Sequence, residues 1–196
     1  MRPSPKRPSF KLYGKKPFRG WKQIMKNNEE IKKIKSLALK FEVTEAKIIK
    51  TSKVIVENWV NWKCRFGCPE YGKWLNCPPY TPTPEETKAL LKEYKIALIF
   101  RVGDDKVKLY DILNKLEREF FLQGYYKAFG FGGGHCPYCE KCIVDFKACK
   151  NPLAVRPSME SCGINVFETA KNAGFPIKIL KDKNQKVYRF GLILIK

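Results

Sequence analysis

Eight cysteines fall into two bursts, and no other feature constrains this 196-residue chain so tightly. Cys64, Cys68 and Cys77 read C-x3-C-x8-C. Cys136, Cys139, Cys142 and Cys149 read C-x2-C-x2-C-x6-C, and Cys162 follows alone. Thiols gathered this densely are characteristic metal ligands. The C-x2-C-x2-C run is the ferredoxin-type arrangement for an iron–sulfur cluster, because two-residue gaps let successive sulfurs point at different corners of a cube from one tight turn.

Three readings compete. Disulfides fit poorly, since no apolar signal segment opens the chain and its start is rich in Arg, Lys and Pro; the expected location is cytoplasmic. Structural zinc is the second reading, because eight thiols would serve two all-cysteine tetrahedral sites. The middle cysteine of C-x2-C-x2-C is superfluous in a zinc knuckle, which favours the third reading, iron–sulfur. A [4Fe–4S] cubane takes about four thiolates. Two triads and two single cysteines allow one or two clusters. Either each triad recruits a single cysteine, which suits electron transfer, or one triad leaves an iron corner open for chemistry. Cys149 is expected to complete the second triad, and Cys162 is the optional fourth ligand of the first.

The neighbours of the cysteines agree. Cys68, Cys77 and Cys136 are each followed by proline, which stiffens a ligand loop. Gly132, Gly133 and Gly134 lead into Cys136 and are candidate cofactor-binding residues, since glycine lets backbone N–H groups approach cluster sulfurs. The same stretch lacks the G-x-G-x-x-G spacing of a nucleotide loop. Trp59, Trp62, Tyr71, Trp74 and Tyr80 surround the first triad, as a solvent shield or as ordinary core. His135 reads better as a loop residue than as a ligand. Arg156 and Glu160 flank Ser158, where an ion pair and a helix-dipole contact account for them.

The stretches V-N-W-K-C-R-F-G-C-P-E-Y-G-K-W-L-N-C-P-P-Y-T-P-T-P-E-E, G-F-G-G-G-H-C-P-Y-C-E-K-C and R-P-S-M-E-S-C-G-I-N-V-F resemble an uncharacterised prokaryotic family. It is a cysteine-rich domain of unknown function described as a predicted metal-binding protein, common in archaea and anaerobic bacteria. The resemblance spans roughly residues 42–196. It implies metal binding at Cys64, Cys68, Cys77, Cys136, Cys139, Cys142 and Cys149, of iron–sulfur type, and it supplies no reaction.

Residues 1–26 differ from the rest. Arg2, Lys6, Arg7, Lys11, Lys15, Lys16, Arg19, Lys22 and Lys26 face no acid, and Pro3, Pro5, Pro8 and Pro17 interrupt any helix. The expectation is a flexible basic arm at 1–26, followed by one cysteine-rich metal-binding domain at 27–196. A formal net charge of +20 points to an anionic partner, such as RNA, reached through the arm, or to a redox partner protein. No apolar run approaches the ~20 residues that span a bilayer.

The remaining chain reads as α/β or α+β: a single mixed-sheet sandwich with two cysteine-rich ligand loops and a C-terminal β-hairpin. Periodicity predicts a helix from Asn28 to about Lys40, with Ile31, Ile34, Leu37, Ala38 and Phe41 inward. Extended chain over 46–56 should deliver the first triad. Thr83-Pro84-Glu85-Glu86 is a capping box opening a helix to about Glu93. Residues 96–100 read as a central strand. A helix capped by Asp104 or Asp105 should end at Gly124, and a strand over 126–131 should stop at the glycine-rich loop. Ser158 should cap a helix over 159–173, and 177–180 should pair with 187–195. Two functions stay open: an electron-transfer protein, or an open-site iron–sulfur enzyme acting on sulfur or a thiol. A zinc-stabilised nucleic-acid-binding module is the weaker third.

Overall fold

A computed structural model describes residues 19–182 and 184–196, the first helix by its backbone alone up to residue 27. The expected basic arm lies outside the described residues as far as residue 18. Its last residues open helix α1, Arg19–Leu39. Strand β1 (Glu45–Lys50) follows, then helices α2 (Asn58–Gly67) and α3 (Pro84–Leu91), strand β2 (Ile96–Val102) and helix α4 (Lys106–Leu122). Strand β3 (Phe129–Phe131), a 3-10 turn at Glu160–Cys162, helix α5 (Val166–Asn172) and strand β4 (Arg189–Leu194) complete the order. This is a mixed α/β fold, and no helix among the described residues is long and apolar enough to cross a membrane.

The four strands form one sheet in the order β1-β2-β4-β3, with every pairing antiparallel. Strands put successive side chains on opposite faces, so the unbroken apolar run of β2 is buried on both. Leu98, Phe100 and Val102 meet Ile34, Leu37 and Ala38 of α1 and Leu109, Leu113, Leu116 and Phe120 of α4. Ala97 and Ile99 face the other way, onto Leu91, Met159, Ile164, Ala170 and Phe175. Each buried Leu, Ile or Phe side chain contributes about 1.5–3 kcal/mol. Neither face of the sheet is free, so the site must lie at its edge.

The caps explain where the helices begin. Thr83 Oγ1 accepts from the Glu86 amide while Glu86 returns a carboxylate oxygen to the Thr83 amide, which is the capping box read from the sequence. The Asp105 carboxylate accepts from the Lys108 amide and starts α4.

Five expectations need correction. Ile31 is exposed, although Ile34, Leu37 and Ala38 are buried. The extended stretch ends at Lys50, and helix α2, with no strong signal of its own in the apolar pattern, carries Cys64. The helix after Ser158 is broken: a 3-10 turn ends at Gly163, whose φ of 77° reverses the chain before Asn165 caps α5. Finally, residues 177–180 form no strand, with Ile179 and Leu180 exposed. Strand β4 instead takes β2 as partner along its whole length and β3 over Leu192–Leu194. The sheet, expected to be mixed, is wholly antiparallel.

Candidate metal centre

All eight cysteines are free thiols, and they separate into two neighbouring sets. Helix α2 brings the first. Its Val60 is buried, and Asn61 Nδ2 donates to the Ser161 carbonyl at 2.9 Å. The Glu57 amide donates to the Gly163 carbonyl at 2.9 Å, so α2 is pinned along the Glu160–Cys162 turn. That places Cys64 on the helix, half-buried, beside the turn. Cys68 is exposed at the C-cap of α2, and Cys77 is buried further along the loop.

Burial and neighbouring charge act together here. Burial, then Glu160 and Cys68, push the Cys64 thiol up to about 11. Burial, then Cys64, Cys68 and Glu160, push Cys77 up to about 12. Cys162 is raised to about 12, chiefly by burial, and it packs with Met159 and Ile164 in the apolar core.

The second set follows β3. Helix α4 anchors its loop at both ends. Tyr138 Oη donates to Asp111 Oδ1 at 2.9 Å, and Asn114 Nδ2 donates to Tyr138 Oη and to the Ala154 carbonyl. The Arg156 guanidinium forks onto Glu117, at 2.8 Å and 3.0 Å from Nε, so the partner of Arg156 is Glu117 and not Glu160. Between these anchors, burial raises the Cys136 thiol, and Cys139, Cys142 and Cys149 add to the shift. Asn151 joins the set from below: its amide N–H donates to Cys149 Sγ at 3.4 Å and its side-chain amide to Cys139 Sγ at 3.6 Å. Donors aimed at sulfur stabilise thiolate character, which is what an outer-shell residue of a thiolate centre supplies.

Asn76 ties the sets together. It is buried, and its Oδ1 accepts from the Cys136 amide at 2.8 Å and lies 3.8 Å from Cys77 Sγ. Its Nδ2 donates to Tyr110 Oη at 2.7 Å and to the Gly134 carbonyl at 3.0 Å. Trp74, Cys77 and Cys136 form a small buried cluster, against which Cys142 packs. Sequence reasoning missed Asn76 and Asn151. Asn76 had one available signal, its place directly before a ligand cysteine in an otherwise apolar stretch.

The glycine loop is explained largely by packing. A Cβ on Gly132 would come within 2.4 Å of the Tyr110 ring, and one on Gly133 would meet the Phe190 carbonyl at 3.2 Å. Gly134 contributes its carbonyl to Asn76 and Tyr110. His135 stacks on Trp74 with centroids 4.5 Å apart, and Lys106 Nζ lies 2.6 Å from its Nε2. Burial and Lys106 lower the His135 pKa, so the neutral ring accepts from the ammonium and shapes the loop. Trp74 is buried as a shield would be. Trp59 and Trp62 are not: they stand exposed on the outer face of α2 with Phe66, which is 76% accessible.

A family model described as "Predicted metal-binding protein (DUF2284)" matches residues 47–195. The chain belongs to this family. The match includes both thiol sets, Asn76, Asn151 and Glu160, and leaves out α1. No curated protein and no solved structure matches the chain. Among the described residues, no three His, Cys, Asp or Glu side chains are already arranged around a single metal-ion position. The donor set itself fits thiophilic metals: every candidate in the second set is a free thiol, and two of those thiols receive N–H donors.

Proposed function

We propose that this member of the metal-binding family is an iron–sulfur protein that passes single electrons. Cys136, Cys139, Cys142 and Cys149 would hold one [4Fe–4S] cluster, and Cys64, Cys68 and Cys77 would provide three thiolates to a second. Such clusters supply reversible one-electron redox chemistry when bound. The observation that carries the reading is Asn76, whose one side chain touches the Cys77 thiol and the Cys136 amide. Two centres joined through one buried residue suit electron passage from one to the other. The protein's own part is to hold the thiols, to exclude water with Trp74, and to aim N–H donors from Asn151 at sulfur. The strongly positive chain would suit an acidic redox partner or RNA, with the basic residues near the start as the contact. Two basic side chains beside the first set, Lys63 and Arg65, fit the same attraction.

A second reading has one specific observation in its favour. The first set offers three thiols, Cys64, Cys68 and Cys77, while Cys162 packs in the apolar core, which suits an exchangeable iron corner and an enzyme acting on sulfur or a thiol. Anaerobic purification with iron, zinc and sulfide quantitation tests both. Two clusters predict about eight irons and eight sulfides per chain. Zinc without sulfide would replace both readings with a zinc-stabilised module. Full iron with no spectral response to added thiol or sulfide favours the electron carrier, and a response favours the enzyme.

A further inference from the structure

We propose that the outer face of α2 is a docking surface for a partner protein that presents an apolar groove rimmed by carboxylates. The inference deepens the preceding reading, on which only the partner's redox role rests.

Helix α2 divides its residues cleanly. Val60 is buried, Asn61 Nδ2 donates to the Ser161 carbonyl at 2.9 Å, and Cys64 is half-buried, so these three hold the helix to the domain. Trp59, Trp62 and Phe66 follow the i, i+3, i+7 spacing of a single stripe, and they are 47%, 66% and 76% accessible. At about 100° per residue, Lys63 and Arg65 fall on opposite flanks of that stripe. One exposed apolar side chain is ordinary on a protein surface. Three large rings in a row mark a face that meets another molecule. The rings are also held in place before any partner arrives. Trp62 and Phe66 meet edge to face with centroids 6.3 Å apart, and Trp59 Nε1 donates to the Glu57 carboxylate at 2.9 Å. Lys63 Nζ lies 5.0 Å from the Trp59 ring centre, and the Arg65 guanidinium lies 5.4 Å from that of Phe66. Such pre-organisation lowers the ordering cost of association.

Charge selects the occupant. Lys63 and Arg65 are the only charged residues of α2, so the complementary rim is acidic. A second copy of the chain would bring two more cations to the contact. Residues 1–18 carry the same sign, with Arg2, Lys6, Arg7, Lys11, Lys15 and Lys16 and no acid. Single-stranded nucleic acid is acidic, but it binds by stacking bases on open ring faces. Here cations lie over Trp59 and Phe66, the Trp62 and Phe66 planes are inclined at 64°, and the Glu57 carboxylate borders the stripe. A ridge of rings at i, i+3 and i+7 between two cations suits the seating of a helix in a protein groove. Its position also fits the electron-transfer reading. Cys68, the exposed thiol, stands at the C-cap two residues beyond Phe66, so a partner lying along the stripe reaches the open end of the first set.

The test places the photoreactive residue benzoylphenylalanine at position 62 or, as a control, at position 121. Phe121 is likewise exposed, but on α4, which packs against the opposite face of the sheet. Each full-length protein is illuminated in anaerobic extract of the source organism, and the conjugates are identified by mass spectrometry. Position 62 should give a protein conjugate that position 121 does not, joined at an apolar segment flanked by Asp and Glu. The identified protein, purified, should bind wild type in a salt-sensitive manner. Lys63→Glu with Arg65→Glu should weaken that binding about tenfold or more, with circular dichroism to confirm folding. Phe66→Ala should weaken it as well, and it decides the matter if the double variant does not fold. The proposal is overturned if position 62 gives no conjugate beyond the control. It is overturned equally if the conjugate is nucleic acid, lipid, a second copy or a protein without an acidic rim, or if binding ignores the substitutions. Iron content is not a readout, so failure here leaves the metal reading standing. Docking by folded protein that holds no iron would instead remove the electron-transfer reading and keep the surface.

Discussion

Cys136, Cys139, Cys142 and Cys149 come from one loop, whereas Cys64 and Cys68 come from helix α2 and its C-cap, pinned by the turn at residues 160–162, and Cys77 comes from the loop beyond. In the loop set Cys136 is buried and the other three thiols are half-buried, and their outer donor, Asn151, comes from the same stretch of chain. The first set runs from buried Cys77 through half-buried Cys64 to exposed Cys68. Burial raises thiol pKa values, so Cys64 and Cys77 oppose their own ionisation, at about 11 and 12. A local loop makes a set that geometry alone nearly completes. A set drawn from a helix and the loop beyond it depends on packing.

Removing thiols set by set gives the largest effect. Cys64→Ser with Cys77→Ser should abolish the first centre and leave about half the iron; Cys139→Ser with Cys149→Ser should do the reverse. If either pair empties the protein of iron, the two sets act as one centre and the comparison fails.

Next is the pH response of the metal-free protein. The Cys64, Cys77 and Cys162 thiols sit above their ordinary value of 9.0, at about 11, 12 and 12. An unfolded chain releases those protons at lower pH than the folded one does, so folding becomes less favourable as pH rises from about 9 toward 12. Melting temperature should fall across that window, and Cys162→Ala should lessen the fall. Loss of stability below pH 8 alone would contradict the assignment to buried thiols.

Asn76→Ala should destabilise by about 1–3 kcal/mol, because it strands the buried Cys136 amide, and it should perturb both centres at once. Urea unfolding gives the first quantity and reduced spectra the second. Asn151→Ala should instead touch only the loop set, weakening its hold on metal roughly tenfold, as outer-shell losses commonly do. A competition titration with a chelator measures it. The smallest effect belongs to Trp62→Ala, which removes an exposed ring from the outer face of α2; thermal melting should shift stability by less than about 0.5 kcal/mol.

The readable parts of the fold were those with strong local chemistry. The Thr83 capping box, the apolar run at 96–100 and the period of α4 each have a signal within a few residues. Helix α2 was missed because its outward face carries Trp59, Trp62 and Phe66, which blurs the contrast between apolar and polar sides. The hairpin failed because strand pairing is a property of the sheet: residues 177–180 look apolar, but β4 takes its partners from β2 and β3. The division of thiols into two sets was legible from spacing. Asn76 and Asn151 were not, because a lone amide near a cysteine makes no pattern until the fold brings its partners together.

The distance along the chain between the first set and the turn that pins it also orders events in time. During synthesis the loop cysteines emerge together, and everything from Cys136 to Asn151 is present within one short stretch. Cys64, Cys68 and Cys77 appear much earlier, yet they wait for the turn at Glu160–Cys162, which must dock on α2. The set that begins first on the ribosome is therefore the one that finishes last. Through that interval Cys64 and Cys77 lack the cover they have in the finished fold and are open to oxidation or to the wrong metal.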